Sequence, residues 1–231
     1  MSYVLVFLAI LMSFVVWWLV KQTVNLTPWT ATSSTDAVRS DGVHSAGTSQ
    51  PLPSKKLALG VFLAVVTSLF ALFISAYSLR MEYGDWRPMP EPIILWVNTA
   101  LLILSSVFLQ YGWNAAKRQD IGAVKVGVVV GGALAVSFIV GQGLAWSQLS
   151  AGGYLVATNP ANAFFYLLSG LHVLHLGGGL VALRKTLSRL WAFENGQEDW
   201  PHISLGAELC AVYWHYLLAV WVILFGFMLS T

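Results

Sequence analysis

Long apolar runs separated by short polar breaks dominate this chain, and their period is that of spanning helices. Six stretches are long and apolar enough to cross hydrocarbon, which takes roughly 20 helical residues: Tyr3–Val20, Leu57–Leu79, Ile93–Ala115, Val124–Trp146, Ala161–Leu183 and Gly206–Leu229. Period-2 alternation, which a membrane barrel requires, is lacking. Helices are the form in which such runs satisfy their own backbone in lipid. The expected fold class is therefore an all-α integral membrane bundle of six helices. Residues 1–21 form an N-terminal spanning helix, 22–54 a Ser/Thr/Pro-rich linker without apolar periodicity, and 55–231 a five-helix domain.

Boundary residues agree with this division. Pro92 opens the third span and Asn159-Pro160 caps and starts the fifth, because a proline there gives up an N–H that has no intrahelical partner. Trp86, Trp113, Trp146 and Trp191 fall at or near span ends, where indole rings favour the interface. Gly127-x-x-x-Gly131 on the fourth span predicts close approach of a neighbouring helix. The first span lacks a basic flank before its apolar run, so it reads as a retained helix rather than a cleaved leader.

Composition adds the environment. Hydrophobic residues make up 57% of the chain, charged residues 10%, and the mean hydropathy is +0.71. A soluble domain carries about 25% charged residues, so this chain cannot cover itself with charge and belongs in a bilayer. A net charge of +2, scattered over several loops, gives no basic footprint for nucleic acid. The basic residues are distributed with one sign of topology. Lys21, Arg39, Lys55 and Lys56 follow the first span; Lys117, Arg118 and Lys125 follow the third; Arg184, Lys185 and Arg189 follow the fifth. The other loops hold only Arg80 and Arg87, balanced by Glu82, Asp85 and Glu91. The positive-inside rule then places both termini on the non-cytoplasmic side.

Candidate chemistry is sparse. All 10 acids lie in loops or at span ends, whereas proton pumps and ion-coupled carriers keep carboxylates at membrane depth. Cys210 is the only cysteine, which excludes an intrachain disulfide and a thiolate cluster. His172 and His175, three apart on one span and expected on one side of it, and His215 on the next, have two readings. One is ligation of haem or another metal, as in a small haem-binding or transport protein, since imidazole is a common ligand. The other is hydrogen bonding to neighbouring helices, or a position near a headgroup. A pair on one helix offers too few ligands for a closed site. Asn98, Gln110 and Gln142 are read as amides bonded between helices, with a polar pathway as the functional alternative. Glu208 is expected in the first turn of the last span, where a carboxylate suits the positive end of the helix dipole; the alternatives are pairing with a cytoplasmic arginine or accepting from a lipid amine.

Several segments, in order on consecutive spans, resemble one family. They are Leu95 through Ser106, Phe138 through Gln142, Trp146 through Leu149, Asn159-Pro160 through His175, and Glu208 through Trp221. Together they resemble subunit III of haem–copper terminal oxidases over about three quarters of the chain, the five shared helices of its short form; the N-terminal helix is additional. The resemblance implies a non-catalytic accessory subunit of a cytochrome c oxidase in aerobic respiration, enzymatic only as part of the complex. Haems and copper are then expected in partner subunits and none in this chain. The partners implied are the haem–copper subunit I, subunit II and membrane lipids, with membership of a larger respiratory assembly open. The location implied is a bacterial inner membrane. Carried over residue by residue, His175, Arg189 and Glu208 match positions at a phospholipid cleft, and His172, His215, Asn98 and Gln142 become structural polar groups. The chain departs from many relatives at Val66, Ala145 and Leu218, where those carry acids. Subunit III of a quinol oxidase and the related accessory protein of nitric oxide reductase are the alternatives within the same superfamily.

Overall fold

The computed structural model describes residues 52–87, 92–196 and 199–229. The expected helix Tyr3–Val20 and nearly all of the linker lie outside the described residues. Five helices run through the rest: α1 Leu52–Arg80, α2 Ile94–Lys117, α3 Ile121–Ala151, α4 Pro160–Glu194 and α5 Trp200–Leu229. All five are long and apolar enough to cross a membrane, and no strand occurs among the described residues.

Each helix outruns the span read from hydropathy. The 35 residues of α4 extend about 52 Å at about 1.5 Å per residue, against a hydrocarbon thickness of about 30 Å. Hydropathy reports the lipid-crossing part, and the helix continues into the interface through Arg184, Lys185 and Arg189. Helix ends are set by local chemistry. Asp120 accepts from the Ala123 N–H at 3.0 Å to cap α3, and Asn159 accepts from the Ala161 N–H at 3.2 Å ahead of Pro160 to cap α4. Gln119, at φ 59°, turns the chain between α2 and α3. Helix α2 begins two residues after Pro92.

The helix α5 is the central one. In its most apolar stretch 56% of residues are buried, against 22% in α1, so α5 is the bundle's axis and α1 its periphery. It packs on α2, α4 and α1, while α3 bridges α2 and α4. Trp214, Tyr216 and Trp221 on α5 are fully buried and anchor the core with Phe138 of α3 and Phe165 of α4. The α2–α3 contact is the closest. A Cβ placed on Gly127 would lie 2.5 Å from the Gly112 Cα, and one on Gly131 would lie 2.7 Å from Leu109 Cγ. The small-residue pair thus brings two backbones together, and Ser105 of α2 donates to the Gly131 carbonyl at 2.7 Å.

Candidate functional site

A cleft of about 420 Å³ opens between α1, α4 and α5. Leu59 and Phe62 form its α1 wall, Leu174, His175, Gly178, Gly179 and Ala182 its α4 wall, and Leu209, Cys210, Tyr213 and Trp214 its α5 wall. Its lining is almost wholly apolar. The concavity comes from a run of small residues: a Cβ on Gly178 would meet nothing within 4 Å, whereas Gly179 lets Tyr213 and Trp214 sit directly on the α4 backbone, 2.7 and 2.9 Å from where its Cβ would be. Tyr213 Oη donates to the His175 carbonyl at 2.8 Å, joining the two walls. His175 Nδ1 lies 2.7 Å from the Leu171 carbonyl, which can only accept, so an N–H there donates to it; in the neutral ring Nε2 is then the acceptor. The ring rests among Phe62 and Phe70 of α1, with centroids at 6.3 and 5.6 Å.

One end of the cleft is charged. Lys56 of α1 reaches Glu208 of α5 at 2.6 Å, with both side chains about a quarter exposed. Arg189 is half-buried on α4, two turns beyond Ala182 and on the same face. The same end of the bundle carries the Lys125–Glu194 pair, which joins α3 to α4. At the opposite end Arg80 forks onto Asp85 through both terminal nitrogens.

Of the residues singled out in the sequence, His175 lies in the cleft wall, and Glu208 and Arg189 stand toward its charged end. Three expectations are corrected. Glu208 is not in the first turn of its helix: α5 begins at Trp200, so the carboxylate sits in the third turn, where the first-turn dipole effect no longer reaches it and Lys56 is its partner. His172 and His175 do not share surroundings. Three residues of helix turn them far enough apart that His172 packs on Phe138 of α3 and Trp221 of α5, while His175 meets α1. His215 is half-buried on α5 with its Nδ1 2.7 Å from the Ala211 carbonyl. Among the described residues no three His, Cys, Asp or Glu side chains are grouped to hold a metal ion. Asn98 and Gln142, in the core, are bonded to each other between helices at 3.2 Å, as expected, whereas Gln110, expected to bond between helices, bonds Asn114 one turn away on its own helix.

Sequence reasoning missed Lys56, Phe62 and the glycines as parts of the cleft. Gly177-Gly178-Gly179, three consecutive residues without side chains inside a span, was the available signal: such a run leaves open space where no neighbour moves in, as at Gly178, and admits a close contact where one does, as at Gly179.

Comparison with known proteins places this geometry in a family. A family model described as cytochrome c oxidase subunit III matches residues 1–230. The chain is 31% identical over 161 residues to a protein of Mycobacterium bovis named probable cytochrome c oxidase subunit 3, covering 68% of this chain and 76% of that one. It is 30% identical over 173 residues to cytochrome c oxidase subunit 3 of Thermostichus vulcanus, covering 73% and 83% of the two chains. With the protein of the same name from Synechocystis it shares 28% identity over 170 residues, 71% of this chain and 70% of the relative. Five long apolar helices and a match running the length of the sequence make this chain a member of the cytochrome c oxidase subunit III family.

Proposed function

We propose that this chain is the non-catalytic third subunit of a cytochrome c:O2 terminal oxidase. It packs beside the haem–copper subunit I, stabilises it, holds phospholipid in the α1–α4–α5 cleft and supports proton uptake by its partner. The observation that carries the lipid role is the cleft itself: an apolar hollow with charged residues grouped toward one end. An acyl chain laid against Phe62, Leu174 and Trp214 buries its methylenes among apolar side chains. Lys56 and Arg189 supply positive charge for a headgroup phosphate. Glu208 is placed to accept from a headgroup amine, in exchange for part of its bond to Lys56. His175 adds one acceptor nitrogen to an otherwise apolar wall. Redox chemistry falls to the partner subunits. By the distribution of Lys and Arg, the charged end faces the cytoplasm and both termini lie on the other side.

The test of the subunit role is affinity capture of this chain from its own membranes in mild detergent, with mass spectrometry of the proteins that accompany it. A large haem–copper subunit is expected, together with a subunit carrying a dinuclear copper motif. Recovery of the chain alone, or with unrelated carriers, overturns the reading. The lipid role is tested separately in the captured complex by Gly178→Leu, which places a side chain in the open space beside α4. Loss of a phospholipid from the purified complex is the expected result, and unchanged lipid content refutes the cleft as its site.

A further inference from the structure

A second polar layer lies in the bundle core, away from the cleft. Trp146 Nε1 donates to Ser169 Oγ at 3.0 Å and so fixes the register between the antiparallel helices α3 and α4. Gln142 stands four residues before Trp146, and His172 three residues after Ser169. At about 1.5 Å per residue the two reach the same depth. Trp221 of α5 lies beside His172, with ring centroids 5.2 Å apart, and donates its Nε1–H to Thr99 Oγ1 of α2 at 2.9 Å. Asn98, next to Thr99 in sequence, donates its Nδ2–H to Gln142 Oε1. Four helices therefore contribute to one layer, and His172, Gln142 and Asn98 are 0%, 0% and 1% exposed.

Hydrogen-bond accounting in this layer does not close within the protein. Asn98 Oδ1, Gln142 Nε2 and both nitrogens of His172 have no protein partner. Reversing both amides changes nothing, because one amide oxygen and one amide N–H group still remain unpaired. Either tautomer of the imidazole adds one N–H donor and one acceptor. The unpaired set thus balances donors against acceptors and includes no carboxylate, lysine or arginine. Neither a cation nor an anion suits it. The ligand that does is small and neutral, and both donates and accepts.

We propose that Asn98, Gln142 and His172 enclose a hydration site at membrane depth, in which ordered water bridges the imidazole to the two amides. A buried water makes about three hydrogen bonds to polar groups of this kind, and the layer's four unpaired atoms lie on three side chains from three different helices. The site links α2, α3 and α4 through a molecule that no pairwise contact between them reveals.

The experiment is solid-state NMR on the full chain in lipid bilayers, with nitrogen-labelled histidine and magnetisation transferred from water protons. His172 is assigned by its loss in His172→Phe, or through its bonds to Leu171 and Val173 if that variant does not fold. The expected result is transfer from water to the His172 ring and a hydrogen-bonded shift at its acceptor nitrogen. In Asn98→Leu combined with Gln142→Leu the transfer should fall by more than half. An acceptor nitrogen with the free, non-bonded shift overturns the proposal. So does transfer arriving only from a side-chain amide, or a water signal that the double substitution leaves unchanged.

Discussion

Gly127→Ala tests the closest helix contact in the bundle. The added methyl would sit 2.5 Å from the Gly112 Cα, 2.7 Å from its nitrogen and 2.8 Å from the Phe108 carbonyl oxygen. All three atoms are backbone, so no rotamer change relieves the overlap. Carbon atoms pack best at about 3.5–4.0 Å, and α2 and α3 must therefore part by about 1 Å near this point. Ser105 donates to the Gly131 carbonyl at 2.7 Å one turn away, and that separation takes the pair out of hydrogen-bond range. Ser105 is fully buried, so its hydroxyl loses an interhelical partner, at about 1 kcal/mol or more. Overpacking adds about 1–3 kcal/mol, and the better helix propensity of alanine returns about 1 kcal/mol. The net expectation is a destabilisation of about 1–3 kcal/mol. Equilibrium unfolding of the purified chain in mixed detergent micelles, followed by tryptophan fluorescence, reads this directly. Gly143→Ala is the control, because its methyl meets nothing within 4 Å, and it should leave stability unchanged or raise it slightly. If the Gly127 variant unfolds with the Gly143 variant, the backbones are not in contact and the reasoning fails.

Three further outcomes follow from single contacts. Asn159→Ala removes the acceptor for the Ala161 N–H and the bond from Nδ2 to the Arg87 carbonyl; it should cost about 1 kcal/mol in the same unfolding assay, whereas Asn159→Asp should retain the cap. Tyr216→Phe removes the 2.9 Å hydroxyl contact with Thr67 that ties α1 to α5; about 0.6 kcal/mol is expected, and Thr67→Val combined with it should add little. The Arg80 guanidinium, bonded to Asp85, holds that carboxyl below the usual carboxylate range. Its contribution is therefore complete above about pH 3.9, the ordinary aspartate value, and fades as pH falls through the depressed value in the fold. Carbon-detected NMR titration should show the midpoint of Asp85 rising toward the ordinary value in Arg80→Gln; an unmoved midpoint refutes the pairing.

The spans were legible because hydropathy and helix length are direct consequences of crossing hydrocarbon. Asn159-Pro160 and Gly127-x-x-x-Gly131 could be read locally, since a cap and a close approach depend on a few neighbouring residues. Pairings across the bundle were not legible in the same way. That Glu208 meets Lys56, 152 residues away in sequence, depends on which face α1 turns toward α5. That His172 and His175 diverge depends on where α1 and α3 lie around α4. Helix starts were misplaced at α5 because Trp200 through Leu205 are helical in the interface, where hydropathy gives no signal. The cleft escaped notice for a related reason: its α4 wall is open where Gly178 carries no side chain, and a sequence scan weighs the residues that are present.

The peripheral position of α1 has a consequence for how the molecule is made. Its main contacts are with α4 and α5, so the first-synthesised of the five helices waits until the last has entered the membrane before it finds its place. Helices α2 and α3, joined by three residues, can pair as soon as both are inserted. Until α4 and α5 are inserted, α1 lacks its main partners among the described helices, and its docking onto them is the step that creates the cleft. An acyl chain held there, as proposed, would be enclosed as α1 docks, with no need to enter a closed bundle afterwards.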